Sequence, residues 1–144
     1  MAEKGESPPL LIYPEGCTTN GRCLVKFRKG AFASLRGVKP FFSKVDSFTG
    51  ILPVHGDAIS FWAYLILFPG SGWSTFTLYE LPVFTPNDYF WKNHWDGKEE
   101  KWELFARTVQ RIIADLGQLE ISESSNDDKV EYKRLVRGSK EKKK

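Results

Sequence analysis

A chain of 144 residues is long enough to bury a real core and argues for one domain rather than two. Its 21 basic and 18 acidic side chains leave a formal charge of only +3, part of it in the Lys140–Lys144 run. That balance argues against a nucleic-acid binder, which needs a concentrated basic face. Cys17 and Cys23 are too far apart for a C-x-x-C pair, and no His–Cys spacing resembles a zinc site. A reducing compartment and no metal centre are therefore expected. Met1 to Pro9 is polar, without the apolar centre of a secretory signal. The longest apolar run, Ile59 to Phe68, is about half of the ~20 residues that a spanning helix requires.

Taken in order, Leu10-Leu11-Ile12-Tyr13 reads as a short buried strand that Pro14 terminates. It runs into a polar turn in which Gly16 and Gly21 let backbone N–H groups approach a ligand closely. Arg22, Lys26, Arg28 and Lys29 follow as a cationic cluster suited to a phosphate-bearing partner. Leu24, Val25, Phe27, Ala31 and Phe32 suggest one side of a short helix interrupted at Gly30, and Gly37 to Val45 reads as a second strand. Gly50, Pro53 and Gly56 predict a loop, Ile59–Phe68 a short helix, and Pro69-Gly70-Ser71-Gly72 its stop.

Thr75 to Phe84 alternates β-formers and predicts a strand closed near Pro82. Tyr89 to Trp95 is dense in aromatic rings, with a turn at Asp96-Gly97. Within Lys98–Leu116, the residues Trp102, Phe105, Ala106, Val109, Ile112, Ile113 and Leu116 recur at helical spacing and predict a core-facing helix ended by Gly117. A polar linker from Ser122 to Asp128 leads to a short helix over Lys129–Arg137, and the final residues read as a disordered basic tail.

Tyr13-Pro14-Glu15-Gly16-Cys17-Thr18-Thr19-Asn20-Gly21, followed by Lys26-Phe27-Arg28-Lys29-Gly30-Ala31-Phe32, resembles the substrate-binding motif of the glycerol-phosphate and lysophospholipid acyltransferase superfamily. The family pattern is aromatic-Pro-Glu-Gly-Thr, then Thr-Asn-Gly or Arg-Ser, then Phe-Lys-x-Gly-Ala-Phe. The Thr-Thr-Asn-Gly form looks most like the eukaryotic lysophosphatidylcholine and lysophosphatidylethanolamine acyltransferases. Val38-Lys39-Pro40-Phe41 and Leu78-Tyr79-Glu80-Leu81-Pro82-Val83 resemble later family segments, so the likeness runs from about Pro9 to Leu116.

The resemblance implies an α/β fold with a partial mixed β-sheet flanked by helices, forming the C-terminal part of a glycerolipid acyltransferase-like domain. Residues 1–117 would be that portion, and 118–144 the linker, short helix and tail. It implies acyl transfer from acyl-CoA, a co-substrate rather than a cofactor, to a lysophospholipid acceptor at a membrane surface. The intact enzyme would sit at the endoplasmic reticulum membrane. By the same resemblance, Glu15 and Gly16 shape the acceptor site, while Thr18, Asn20 and Arg22 hold its phosphate side. Cys17 stands where the family usually has Thr, exchanging a good hydroxyl donor for a weak one.

The family's base is a His whose Asp partner stands five positions later. His55 is followed at that spacing by Ser60 and His94 by Glu99, so neither reproduces the pair. No catalytic residue is assigned, and this chain alone is expected not to turn over. Glu99 stands at that spacing from His94, and a Glu can orient an imidazole as Asp does. Two other readings stand beside the enzyme fragment. One is a noncatalytic lipid- or membrane-surface-binding module, using the apolar run Phe61–Phe68 and the rings of Tyr89–Trp95. The other takes Gly16 to Cys23 as a phosphate loop, although Arg22 and Cys23 replace its Lys and its hydroxyl.

Overall fold

In the computed structural model, which describes residues 10–19, 21–49 and 60–137, the core is built around one long helix. The chain order is β1 (Cys23–Leu24), a 3-10 turn (Lys29–Ala31), β2 (Phe41–Ser47), α1 (Phe61–Leu67), a second 3-10 turn (Phe68–Ser71), β3 (Ser74–Glu80), α2 (Asp88–His94), α3 (Lys101–Gly117), β4 (Glu120–Ile121) and α4 (Asn126–Arg137). This is an α/β fold whose strand pairings are both parallel and antiparallel. Among the described residues the pairings form two separate two-stranded sheets.

The apolar spacing predicted for the long helix is realised in α3, which buries Leu104, Phe105, Ala106, Val109, Ile113 and Ala114 on one face. Phe105 is fully buried, with Phe32 edge-on at 5.2 Å and Phe84 tilted at 5.6 Å. Leu24, Phe27 and Phe32 close the cluster from the N-terminal side, and Phe42, Leu81 and Phe84 pack against it. Each such large side chain contributes about 1.5–3 kcal/mol by leaving water.

The helix ends one residue later than its glycine suggests. Gly117 is still helical, and Gln118 takes the left-handed cap conformation at φ 52° and ψ 43°. A Cβ at Gly117 would lie 3.1 Å from the Phe42 ring and from Leu119, so this glycine is a packing requirement rather than a cap.

β1 and β4 are parallel, with Cys23 opposite Glu120 and Leu24 opposite Ile121. Ser122 N–H to Leu24 O at 2.8 Å and Lys26 N–H to Ser124 O at 3.0 Å prolong the pairing. β2 and β3 form an antiparallel ladder from Phe41 opposite Glu80 to Ser47 opposite Ser74. The strand expected over Gly37–Val45 and that expected from Thr75 are thus present, shifted by a few residues. At α4, Ser125 and Asp128 cap reciprocally. The Asp128 carboxylate accepts the Ser125 N–H at 2.6 Å, while the Ser125 hydroxyl accepts from the Asp127 and Asp128 N–H groups.

Two expectations fail. Leu10–Tyr13 is not a strand: no ladder forms there, and its side chains are exposed. Apolar pattern alone cannot make a strand without a neighbour to take its backbone groups, and the described residues supply none. The helix expected across Leu24–Phe32 is replaced by β1, an extended connection and the 3-10 turn. There the pairing with β4 and the β-branched Val25 outweigh a weak helical pattern. The loop expected between Gly50 and Gly56 lies outside the described residues.

Candidate functional site

The predicted motif forms a tight turn. Gly16 N–H donates to Tyr13 O at 3.1 Å, closing a four-residue turn with Pro14 at its second position and Gly16 at its fourth. Gly16 has φ 65°, and a Cβ there would come within 3.0 Å of the Arg28 side chain. Only glycine therefore meets both the backbone and the packing demand at this point.

The turn is tied to β1 and its continuation. Arg28 N–H donates to Pro14 O at 2.8 Å, and Val25 N–H donates to the Glu15 carboxylate at 3.2 Å. On the other side of the same residue, the Gln110 amide of α3 donates to Val25 O at 2.9 Å. Val25 is buried, and so is Gln110. Where β1 runs out of partners, two side chains satisfy the Val25 backbone groups that burial would otherwise leave unpaired. Burial raises the Glu15 carboxyl above its ordinary pKa, and the Val25 hydrogen bond partly offsets this. Its second oxygen has no protein partner among the described residues.

Glu15, Gly16 and Thr18 fall on one connected loop, with Arg22 just before β1; Asn20 lies outside the described residues. The Thr18 carbonyl accepts from Lys129 of α4 at 2.6 Å, and the Thr19 hydroxyl accepts from Gly21 N–H at 3.3 Å. Cys17 and Cys23 are free thiols, both partly buried. The expected cationic cluster is dispersed. Arg28 pairs with Asp127 at 2.8 Å, and Lys29 with Glu100 at 2.8 Å, so two of its members already have counter-charges. The Lys29 hydrogen bond, helped by the Trp102 indole, holds the Glu100 carboxyl below its ordinary pKa.

His94 and Glu99 do not form a dyad. The Glu99 carboxylate grips Arg107 with both oxygens, at 2.9 and 2.5 Å, and its carbonyl accepts from the Trp95 indole. His94 lies against the Phe90 ring at the end of α2. The phosphate-loop reading fails on topology. Among the described residues no strand precedes the loop, and a strand, β1, follows it, whereas phosphate capture of that type needs a helix N-terminus after the loop.

Sequence reasoning missed the role of Gln110, whose polar side chain interrupts the apolar face of α3. It also missed a groove of about 370 Å³ flanking that helix, lined by Lys26, Trp102, Glu103, Arg107, Arg111 and Glu123 among others. Glu15, Gly16, Thr18 and Arg22 do not line it, so the motif and the groove are separate features. No group of His, Cys, Asp and Glu suited to a metal occurs among the described residues. None of the described helices is long and apolar enough to cross a membrane.

No protein-family model and no solved structure matches the chain. Among curated proteins, lysophosphatidylcholine acyltransferase 1 of Homo sapiens is 27% identical over 157 residues, covering 93% of this chain and 27% of the relative. Lysophospholipid acyltransferase LPEAT1 of Arabidopsis thaliana is 29% identical over 137 residues, covering 92% of this chain and 31% of the relative. Lysophosphatidylcholine acyltransferase 1 of Danio rerio is 33% identical over 134 residues, covering 88% of this chain and 23% of the relative. The chain thus spans about a quarter to a third of the length of these relatives. Similarity along nearly its whole length makes the chain a homologue of eukaryotic lysophospholipid acyltransferases, within the glycerophospholipid acyltransferase superfamily.

Proposed function

We infer that this chain supplies the acceptor-binding part of a lysophospholipid acyltransferase, the C-terminal portion of its catalytic domain. The observation that supports the reading is the Tyr13–Gly16 turn, whose family-like residues are pinned to the core through Val25 just ahead of Thr18. Glu15 fixes the turn with one carboxylate oxygen and offers the other to a glycerol or headgroup hydroxyl. Gly16 keeps the surface open, and Thr18, Asn20 and Arg22 supply hydrogen bonds and charge to the acceptor phosphodiester.

In the reaction, the acceptor hydroxyl loses its proton to a base, its oxygen attacks the acyl-CoA thioester carbon, and the CoA thiolate leaves and takes up the proton. This chain contains no His followed five positions later by Asp, so the base belongs to another part of a longer protein at the endoplasmic reticulum membrane. That same lack of a pair favours one second reading, a noncatalytic lipid-binding module.

Binding of lysophosphatidylcholine to this chain, with acyl transfer assayed in parallel, tests both. Binding that weakens in Arg22→Ala, without turnover, supports the acceptor-site reading. Turnover surviving His94→Ala would refute the assignment of catalysis elsewhere, and equal binding by parent and Arg22→Ala would refute the assigned phosphate contact. Restoring the family hydroxyl by Cys17→Thr should tighten binding.

A further inference from the structure

The last helix, α4, reaches back to the motif turn from the far end of the chain. β4 runs on into Ser124, whose carbonyl accepts the Lys26 N–H at 3.0 Å, so backbone pairing with β1 places the start of α4 before any side chain acts. The reciprocal cap of Ser125 and Asp128 then fixes the direction in which the helix leaves.

Two side chains near the start of α4 meet the motif. Asp127 pairs with Arg28 at 2.8 Å, and the Arg28 side chain is the group that covers Gly16, 3.0 Å from where a Cβ would stand. Lys129 Nζ donates to the Thr18 carbonyl at 2.6 Å.

The two contacts differ in worth. Both partners of the Arg28–Asp127 pair are more than half exposed, so water and salt weaken it. Lys129 holds something that little else holds. Thr18 lies between two left-handed glycines, Gly16 at φ 65° and Gly21 at φ 72°, and belongs to no strand or helix. Such a segment has much backbone freedom to lose when a ligand binds. A charged donor on its carbonyl restricts it beforehand, and because α4 is already placed by β4 the restraint costs little beyond the freedom of one lysine side chain. Ordering a loop ahead of its ligand lowers the cost of binding.

We propose that Lys129 is a positioning residue of the acceptor site: its ammonium holds the Thr18 carbonyl and makes the start of α4 a brace for the motif loop, so that the site extends past α3 into α4. The inference rests on the acceptor-site reading for what the loop binds, and on the Lys129–Thr18 contact for the brace itself.

Backbone order parameters of Cys17, Thr18 and Thr19, read by NMR relaxation on the full chain without ligand, test the brace, and binding of monomeric lysophosphatidylcholine tests its consequence. Lys129→Met should lower those order parameters and weaken lysophosphatidylcholine binding by about two- to tenfold, the worth of one hydrogen bond. Lys129→Arg keeps a cationic donor of similar reach and should restore both. Glu131→Gln, on the same helix but in none of these contacts, should behave as the parent. The Lys129 contact lies at the surface, so the urea midpoint should match the parent in all three variants, and a loss of affinity is then not a loss of fold. Unchanged order in Lys129→Met, no rescue by Lys129→Arg, or lowered order with parental affinity would each overturn the proposal. If Arg22→Ala weakens binding and Lys129→Met does not, the acceptor-site reading stands and this one falls. A parent that binds no lysophosphatidylcholine would overturn the acceptor-site reading, while the order parameters still decide the brace.

Discussion

Replacing Glu15 separates its two roles, strut and ligand contact. Its carboxylate is the acceptor for the buried Val25 N–H at 3.2 Å. Glu15→Ala removes that acceptor and leaves the donor without a protein partner, which costs about 1–3 kcal/mol. Glu15→Gln keeps a carbonyl oxygen in place and removes the buried charge, so at neutral pH it should match or exceed the parent in stability. Proton linkage adds a sign. Because burial raises the Glu15 carboxyl above its ordinary value of 4.5, its contribution is greatest below that value and is lost as pH rises through the higher folded one. The stability of Glu15→Gln relative to the parent should therefore grow as pH rises from about 4 into the neutral range.

Urea unfolding followed by tryptophan fluorescence at several pH values measures both effects. A Glu15→Ala variant as stable as the parent would refute the strut. A Glu15→Gln variant as unstable as Glu15→Ala would show that charge, not the hydrogen bond, holds the turn. If Glu15→Gln is stable yet binds lysolipid poorly, the free oxygen is the ligand contact.

Phe105→Ala empties the only described side chain that is fully buried and removes its contacts to Phe32 and Phe84. It should cost about 3–5 kcal/mol, read as loss of a cooperative thermal transition. Gly16→Ala combines a left-handed backbone with a contact of 3.0 Å to Arg28, and should destabilise by about 1–2 kcal/mol in urea unfolding. Gln118→Gly, at the left-handed cap of α3, should instead raise the unfolding midpoint, by about 0.5–1 kcal/mol in stability.

What the sequence made legible follows the range of the interactions involved. α3 was readable because its face repeats locally every three to four residues, and β3 because side chains alternate within one segment. The same local logic failed at Leu10–Tyr13 and at Leu24–Phe32. There, the deciding partner is either lacking among the described residues or is β4, distant in the chain. The cationic cluster was visible as spacing, but the pairing of Arg28 and Lys29 was not, since Asp127 and Glu100 arrive from α4 and the start of α3. Turn chemistry fared better: Pro14 and Gly16 announce a tight turn in any context.

Gln110 shows how the fold and the candidate site are joined. A glutamine on an otherwise apolar helix face would ordinarily cost free energy, and its burial is repaid only because Val25 has a carbonyl that no strand takes up. Glu15 answers the N–H of the same residue from the motif side. A single backbone unit thus connects α3, the most buried element, to the turn that displays the motif, and rigidity in the core becomes positional precision at the surface. Gln110→Leu breaks this link without touching any motif residue. It should cost about 1–3 kcal/mol in unfolding through the unpaired Val25 carbonyl, and should also weaken lysolipid binding in the fraction that remains folded. Unchanged binding at reduced stability would show that the turn holds its shape without the core.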